Sequence, residues 1–429
     1  MSFANEKQLE DTFVMHTFGR KPVELVRGEG MYVYDDEGNK YLDFIAGIGA
    51  VSLGHCHPVV VDALTKQAQT LIHVSNYYYI EQRGELSELL SDLLNARVPA
   101  AERTSWQTFF ANSGAEANEC AIKLARLYAR KSAAATEKAA DGAADGATNK
   151  ATEKAANEAA PNIIVTLQNS FHGRTLATLA ATAQPAKQEA FQPLPGGFVA
   201  TPQNDIAALT ELFEQCGERI CAVMLECVQG ESGVHPCTPA FLHAARELTQ
   251  RYDALLICDE VQCGIFRCGT YPFGFQHFDI TPDIVTIAKG VASGMPTGMC
   301  AAREEVARAF EPGDHGSTFG GSCLAVAAAN ATLRELSGGD YGAHVEEVGA
   351  YFRERLSALP QVSEVRGYGL MVAVDLDESA RCAPDVVSAA LSEGLLLNAT
   401  GAHTLRFLPP LVCERADIDE LMRKLTALL

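Results

Sequence analysis

Short runs of aliphatic and β-branched residues alternate with helical patterns through the middle of the chain, and this alternation constrains the fold most. The runs are NIIVTL (162–167), ICAVMLE (220–226), ALLICDE (254–260) and DIVTIA (283–288). Between the second and third runs, TPAFLHAARELTQRYD has apolar residues spaced three and four apart, as on one face of a helix. Strands separated by helices predict an α/β fold with a mostly parallel sheet covered on both faces.

Three ionisable residues, Glu226, Asp259 and Lys289, each come at the end of one of these predicted strands. Because the carboxyl ends of parallel strands meet at one edge of a sheet, where ligands bind, we expect the three side chains to share one rim. A strand-end lysine is weak evidence by itself, since most such lysines reach water. The two carboxylates beside it make a shared site the better interpretation.

Two segments rich in small residues are candidates for binding a phosphate. FFANSGAEANECAIKLARLYA reads as a strand end followed by a helix, and Ser113 with Glu116 fits a capping box. Small residues at this helix start let backbone N–H groups approach an anion. HGSTFGGS (315–322) offers a second cradle with hydroxyl groups beside glycines. A Schiff-base lysine, a carboxylate for a pyridine nitrogen and a phosphate-binding helix start together predict pyridoxal 5'-phosphate as the cofactor.

Several long motifs resemble the signature segments of the class-III pyridoxal-phosphate aminotransferases. In chain order they are FFANSGAEANECAIKLAR, FHGRT, ECVQGESGV, LLICDEVQCGIFRCG, PDIVTIAKG and HGSTFGG. With VRGEG, YLDFIAGIGAVSLGHCHP, LNATG and LRFLPP, the chain most resembles the acetylornithine aminotransferases. The resemblance implies the aminotransferase fold type I, in which a large domain with a mostly parallel sheet carries a smaller α+β domain.

The resemblance also implies a role for each matching residue near the cofactor. Lys289 would form the Schiff base and later carry a proton, and Asp259 would keep the pyridine nitrogen protonated. The other cofactor-binding residues implied are Ser113, Gly114 and Ala115 at the phosphate, Phe171 and Val261 on the ring faces, Gln262 at the phenolic oxygen, and Thr318 from the neighbouring subunit. A site shared between chains implies at least a homodimer.

On the substrate side, the resemblance assigns two arginines, which suit carboxylates by their bidentate geometry. Arg174 would grip the substrate carboxylate, and Arg406 would bind the α-carboxylate of 2-oxoglutarate or glutamate. Glu231 would pair with Arg406 in the first half-reaction and release it in the second, and Ser317 is also expected to bind substrate. The reaction implied is a ping-pong transfer of the terminal amino group of N-acetylornithine to 2-oxoglutarate, a step of arginine biosynthesis.

Other amino donors remain open, because the acyl pocket cannot be identified from sequence. They are ornithine, succinylornithine, succinyldiaminopimelate and 4-aminobutyrate. Phe18 aligns near a position where ornithine aminotransferases use a tyrosine to hold a free α-amino group, so ornithine is disfavoured. A silent, ligand-sensing homologue is the alternative that is not an enzyme, and the intact Lys289 and Asp259 argue against it.

The charge and the composition restrict the partners and the location. With 34 basic and 54 acidic residues the net charge is −20, which disfavours nucleic acid and anionic membrane surfaces. No apolar stretch approaches the roughly 20 residues that span a bilayer, and the polar start lacks the pattern of a signal peptide, so a cytoplasmic enzyme is expected. The 13 scattered cysteines indicate reduced thiols. GHCHP (54–58) has no second ligand cluster, so no metal site is expected.

The expected domain organisation has three parts. Residues 1–50 are an N-terminal segment that joins the small domain, 51–320 the large cofactor-binding domain, and 321–429 the C-terminal small domain. GMYVYDDEGNKYLDF predicts a hairpin with a Glu-Gly-Asn turn. Residues 132–160 repeat TEKAA and contain no large apolar side chain, so they cannot offset their ordering entropy by burial. They are predicted to be a surface insertion, flexible or partly helical, without a part in the chemistry.

Overall fold

The computed structural model of the chain describes residues 3–140 and 160–429. The strands are β1 Leu25–Glu29, β2 Tyr32–Asp35, β3 Lys40–Asp43, β4 Trp106–Ala111, β5 Ile163–Leu167, β6 Phe198–Thr201, β7 Ile220–Leu225, β8 Val228–Gln229, β9 His235–Pro236, β10 Leu255–Asp259, β11 Ile284–Ile287, β12 Gly298–Arg303, β13 Val362–Tyr368, β14 Met371–Leu376, β15 Leu395–Leu396, β16 Asn398–Ala399 and β17 Thr404–Phe407.

The α-helices are α1 Phe3–Phe13, α2 Ala46–Gly49, α3 Pro58–Thr70, α4 Arg83–Leu94, α5 Gly114–Ala140, α6 Leu176–Ala181, α7 Pro185–Gln188, α8 Ile206–Cys216, α9 Pro239–Arg251, α10 Glu304–Ala307, α11 Cys323–Gly338, α12 Tyr341–Ser357, α13 Ala383–Ser392 and α14 Arg415–Leu428.

A seven-stranded sheet in the order β4-β12-β11-β10-β7-β5-β6 forms the centre of the fold. From β11 to β6, neighbouring strands are parallel, whereas β12 is antiparallel to both β11 and β4. This topology confirms the predicted α/β class and the mostly parallel sheet. The four predicted apolar runs are β5, β7, β10 and β11.

Burial on both faces explains why these strands read as continuous apolar runs rather than as alternating patterns. Every residue of β5, β7, β10 and β11 is buried. Helix α5 packs against β4, β11 and β12, and α9 packs against β7 and β10. The predicted helix after residue 238 is confirmed as α9, whose first turn is capped by Thr238 accepting the N–H of Phe241 at 3.3 Å.

The register of the parallel strands brings the predicted rim together. Asp259 is the last residue of β10 and pairs with Thr286 of β11. Lys289 follows the end of β11, and Glu226 follows the end of β7, in which Leu225 pairs with Cys258. The carboxyl ends of three adjacent strands therefore present these three side chains at one edge of the sheet.

Two smaller sheets involve the ends of the chain. The predicted hairpin is confirmed as β2 and β3, with Tyr34 opposite Lys40, and β15 from the C-terminal portion adds to β3 in parallel. The other sheet has the order β13-β14-β17-β16. The division into domains at residues 50 and 320 stays a prediction, since α11, which follows the second boundary, packs against α3 and the turn Lys289–Ala292.

The structure describes only part of the low-complexity insertion. Helix α5 extends to Ala140, so residues 132–140 of the predicted insertion continue a helix, and 141–159 lie outside the described residues. All thirteen cysteines are free thiols, as the scattered pattern predicts. Within the described ranges, the helices are too short or too polar for any of them to cross a membrane.

Candidate active site

A cavity of about 370 Å³ opens at the carboxyl edge of the central sheet. Nine of the thirteen residues singled out in the sequence line it. They are Ser113, Gly114, Ala115, Phe171, Arg174, Asp259, Val261, Gln262 and Lys289. Glu226 lines it as well, so the shared rim of Glu226, Asp259 and Lys289 is confirmed.

Lys289 lies in a short turn directly after β11 and enters the cavity from there. Its φ of +46° is in the left-handed region, which costs a residue with a side chain roughly 1 to 3 kcal/mol and is found mostly at functional sites. Burial lowers the pKa of the Lys289 amine, and the nearby carboxylates Asp259 and Glu226 act in the opposite direction. A lowered pKa increases the fraction of neutral, nucleophilic amine.

Asp259 is fixed in position by three hydrogen bonds. His172 Nδ1 and Asn118 Nδ2 each donate to Asp259 Oδ2 at 2.8 Å, and the backbone N–H of Val261 donates to Oδ1 at 3.0 Å. The aspartate is only 2% exposed. Hydrogen bonds to the ionised form offset the desolvation of a buried carboxylate. Asp259 is therefore held in an orientation that faces the same cavity as Lys289.

The start of α5 forms another wall of the cavity. Ser113 Oγ accepts the N–H of Glu116 at 3.2 Å, as an N-cap does. In a complete capping box the Glu116 carboxylate would accept the backbone N–H of Ser113. It instead accepts the backbone N–H of Asn112 at 2.7 Å and the side-chain amide of Asn112 at 2.8 Å. The predicted capping box at Ser113 is therefore wrong in its second half, because Glu116 caps the strand end instead of Ser113.

Gly114 permits a close approach of the helix start to Val261. A Cβ at position 114 would lie 2.7 Å from Val261 Cγ1, a separation that side chains essentially never adopt. Any larger residue would push Val261 from its place in the cavity wall. Glycine therefore holds the N–H groups of the helix start next to a defined apolar wall.

Arg406 lies beside the cavity and contacts it through Gln262. Its Nη1 donates to Glu231 Oε2 at 2.9 Å and to Gln262 Oε1 at 3.2 Å, and its Nη2 donates to Asn398 Oδ1 at 3.0 Å. The guanidinium is only 3% exposed. The predicted pairing of Arg406 with Glu231 is thus present, although neither residue lines the cavity itself.

Ser317 and Thr318 lie in a different cavity of their own chain, of about 890 Å³. Tyr77, Tyr79 and Phe110 share its lining. A hydrogen bond links Ser317 to the first cavity, since Asn112 Nδ2, which lines that cavity, donates to Ser317 Oγ at 3.2 Å. A single chain does not bring Thr318 to Lys289, and the assignment of Thr318 to the neighbouring subunit stays a prediction.

His172, Asn118 and Thr297 line the cavity and were missed in the sequence. Three of their polar atoms, His172 Nε2, Asn118 Oδ1 and Thr297 Oγ1, are buried and have no hydrogen-bond partner among the described residues. Asn118 could have been identified from the sequence, because it lies four residues after Gly114 and therefore on the same face of helix α5. Water or a polar ligand can satisfy buried atoms of this kind.

Glu226 joins Phe171, which forms the aromatic wall of the cavity, to the loop that carries Glu231. Its carboxylate accepts the backbone N–H of Phe171 at 2.9 Å and that of Gly230 at 3.1 Å. Burial raises the pKa of Glu226 to about 7, while His172 lowers it and Asp259 raises it further. This carboxyl group therefore positions two parts of the site at once.

Glu260, the residue after Asp259, gives a prediction for stability. It is 1% exposed and accepts the N–H groups of Gly274 at 2.7 Å and Phe275 at 2.9 Å, and burial raises its pKa to about 7. Because the folded pKa exceeds the unfolded value, the contribution is complete below about pH 4.5 and is lost as the pH rises through about 7. We expect the free energy of unfolding of the wild type to fall, relative to that of E260Q, by up to about 1.4 kcal/mol per pH unit in this window.

Urea titrations of both proteins from about pH 5 to about pH 8 measure this difference. Parallel pH profiles would show that Glu260 keeps the same charge in the folded and unfolded chains.

Two minor predictions concern residues outside the cavity lining. Phe18 is 79% exposed in the single chain, so its expected effect on ornithine stays a prediction. In GHCHP, His55 Nε2 lies 2.8 Å from Asp43 Oδ2, and Cys56 is exposed. Across residues 3–140 and 160–429, no three His, Cys, Asp or Glu side chains are grouped as ligands for a metal ion.

Comparison with known proteins gives a family and several relatives. Residues 15–429 match the family model described as aminotransferase class-III. An acetylornithine aminotransferase of Caldanaerobacter subterraneus subsp. tengcongensis is 44% identical over 96% of each chain. A crystal structure of acetylornithine aminotransferase from Elizabethkingia anophelis has a TM-score of 0.81 at 30% identity, with 100% of this chain and 99% of that chain covered. An ornithine aminotransferase of Toxoplasma gondii, whose structure shows partial occupancy of pyridoxal phosphate at the active site, has a TM-score of 0.84 at 28% identity and coverages of 100% and 94%.

The residues of the cavity fit pyridoxal phosphate. A partly buried amine and a hydrogen-bonded carboxylate face one space, as a cofactor with an aldehyde and a basic ring nitrogen requires. The small residues at the start of α5 leave backbone N–H groups accessible to a phosphate. The unpartnered atoms His172 Nε2, Asn118 Oδ1 and Thr297 Oγ1 add polar contacts in the wall.

Proposed function

This chain belongs to the class-III aminotransferases, and we propose that it transfers the terminal amino group of N-acetylornithine to 2-oxoglutarate, which gives N-acetylglutamate 5-semialdehyde and glutamate. The observation that carries the proposal is one cavity lined by Lys289, Asp259 and Arg174, with the Arg406–Glu231 pair beside it. The substrate is supported by the acetylornithine aminotransferase that is 44% identical to this chain. The pathway proposed is arginine biosynthesis.

The enzyme depends on pyridoxal phosphate, which supplies an aldehyde that takes up the amino group and a ring that accepts an electron pair. We propose that Lys289 anchors this cofactor through Nζ, and that the same amine, once free, moves a proton at the substrate carbon. Asp259, oriented by hydrogen bonds from His172 and Asn118, would hold the proton of the ring nitrogen. Ser113, Gly114 and Ala115 would bind the phosphate at the start of α5, and Phe171, Val261 and Gln262 would contact the ring.

The two half-reactions need one site to accept an amine and then a dicarboxylate. Glu231 neutralises Arg406 in the arrangement observed, with 2.9 Å between Oε2 and Nη1. Its carboxylate is 31% exposed, whereas the arginine is 3% exposed, so Glu231 is the partner that is free to move. We propose that Glu231 masks Arg406 while the amino donor reacts and swings away when 2-oxoglutarate binds. Arg174 would bind the other carboxylate, and Ser317 would add a polar contact.

A homodimer is part of the proposal. The second cavity, which contains Thr318, is lined by two tyrosines that are almost fully exposed in the single chain, Tyr77 at 94% and Tyr79 at 102%. Exposed apolar groups of this size are typical of protein interfaces. Pairing of two chains through this surface would carry Thr318 to the cofactor phosphate of the partner. We also propose a cytoplasmic location and a division into large and small domains near residues 50 and 320.

Ornithine is the second candidate donor, because solved ornithine aminotransferases share the fold with a TM-score of 0.85. Their identity to this chain is 28%, compared with 44% for the acetylornithine enzyme of Caldanaerobacter subterraneus subsp. tengcongensis. Succinylornithine, succinyldiaminopimelate and 4-aminobutyrate differ from N-acetylornithine in the acyl group or the carboxylate. A silent homologue would bind these ligands without transferring nitrogen.

The test is a panel of amino donors with 2-oxoglutarate as acceptor. We expect the value of kcat/KM for N-acetylornithine to exceed that for ornithine or 4-aminobutyrate by about 100-fold, since ornithine would place a charged amine, and 4-aminobutyrate would leave a gap, where the acetylamino group binds. Glutamate formation is the readout. Equal values for N-acetylornithine and 4-aminobutyrate would contradict the substrate assignment, and an absence of glutamate with every donor would contradict the enzyme itself.

A further inference from the structure

Lys187 lies over the ring of Phe171, which lines the cavity, although Lys187 is not itself among the lining residues and no motif in the sequence singled it out. It belongs to the short helix α7, and its Nζ is 5.0 Å from the centroid of the Phe171 ring. The guanidinium carbon of Arg174 is 5.6 Å from the same ring. Two cations therefore lie against one ring, and that ring together with Arg174 lines the cavity.

The ammonium group of Lys187 has no partner within the part of the chain that the structure describes. No hydrogen bond or ion pair joins it to any described residue, and Glu231, a carboxylate that influences its pKa, is paired with Arg406. The side chain is partly buried. Burial lowers the pKa of Lys187, Glu231 counteracts this, and Arg174 and Arg406 lower it further. Partial burial and two neighbouring arginines make this a favourable place for an anion.

We propose that Lys187 is a specificity-determining residue that binds, together with Arg174, the substrate carboxylate remote from the reacting carbon. This inference rests on the proposed function and names a residue that the proposed function does not use. Both substrates carry a carboxylate in that place: N-acetylornithine at the end opposite its amino group, and 2-oxoglutarate at the end opposite its keto group. One pair of cations beside Phe171 therefore serves both half-reactions.

The competing role for Lys187 is packing alone, with its methylene chain and cation held against Phe171. Two variants separate the roles. K187M keeps an unbranched apolar chain of similar length for that contact and removes the charge, whereas K187R keeps a cation. A carboxylate-binding role predicts that K187R is close to the wild type and K187M is not. A packing role predicts no difference between them that depends on the ligand.

The experiment compares two donors that differ only by the carboxylate, N-acetylornithine and N-acetyl-1,4-diaminobutane. For K187M we expect kcat/KM with N-acetylornithine to fall about tenfold, mostly through KM, as suits one partly screened charge. With N-acetyl-1,4-diaminobutane the value is expected to stay within about twofold of the wild type. Equal losses with both donors, or no loss with either, would overturn the inference.

A binding measurement keeps this test independent of the amino donor. Glutarate, a five-carbon dicarboxylate, is titrated into the holoenzyme forms of the wild type, K187M and K187R, and its binding is followed by the absorbance of the cofactor. We expect the Kd for glutarate to rise about tenfold in K187M and to stay within about twofold of the wild type in K187R. If wild-type enzyme ignores N-acetylornithine, the proposed function fails while the glutarate result still decides the role of Lys187. An unchanged Kd for glutarate in K187M refutes that role whatever the donor is.

Discussion

Replacing Lys289 with alanine is expected to lower kcat by about four orders of magnitude or more, because the variant loses both the anchoring amine and the group that moves the proton. The side chain lies in the cavity with Asp259, and burial lowers the pKa of its amine. No other lysine lines this cavity among the described residues. Steady-state rates with N-acetylornithine and 2-oxoglutarate, compared with single-turnover rates, measure the effect.

The matched variant is K289R, which keeps a cation in the same place and cannot serve as a nucleophile at neutral pH because the guanidinium stays protonated. It is expected to be as inactive as K289A. Added methylamine is expected to restore part of the activity of K289A, since a small amine fits the space left by the side chain. Activity in K289A within about tenfold of the wild type would show that a different residue performs the chemistry.

Asp259 gives the second large effect. D259N keeps the size of the side chain but removes the charge that faces the cavity, and breaking a buried charge pair costs about 3 to 5 kcal/mol. At about 1.4 kcal/mol per tenfold in rate, kcat is expected to fall by about 100- to 4,000-fold. The cofactor is expected to dissociate more readily as well. Measurements of kcat and of the Kd for pyridoxal phosphate test both expectations.

Asp283 provides a matched control for D259N. It is a buried aspartate directly before β11, at the end of the sheet opposite to Asp259. It accepts hydrogen bonds from Arg246 at 2.7 Å and from the N–H of Leu256 at 2.8 Å. D283N is expected to lower the free energy of unfolding and to leave kcat within about twofold of the wild type. An equal loss of kcat in D259N and D283N would mean that Asp259 acts through stability alone.

The sheet and its catalytic edge could be predicted because local signals and tertiary structure agree there. Strands β7, β10 and β11 are buried on both faces, so the sequence itself shows where each one ends. The parallel arrangement then places Glu226, Asp259 and Lys289 together without further information. Their convergence in one cavity follows from topology rather than from any single motif.

Other features depend on contacts between distant segments, which single-sequence patterns do not encode. The hydrogen bonds from His172 and Asn118 to Asp259 join residues 87 and 141 positions apart. Lys187 reaches Phe171 because the chain turns back through the short helices α6 and α7. Helices this short have too few residues for a periodic apolar pattern to predict them. The Glu116 carboxylate does not bind the N–H of Ser113, as the predicted capping box requires, because Asn112 offers two donors to the same carboxylate oxygen. The placement of Ser317 and Thr318 away from Lys289 likewise depends on three-dimensional packing.

The most direct test of the account is chemical trapping of the cofactor. Holoenzyme is treated with sodium borohydride, which reduces a carbon–nitrogen double bond to a stable amine, and the digested peptides are then mapped by mass spectrometry. The added mass is expected on the peptide that contains Lys289, and K289A is expected to retain none. A modified peptide with any other lysine, or an unmodified chain after full reduction, would contradict this expectation.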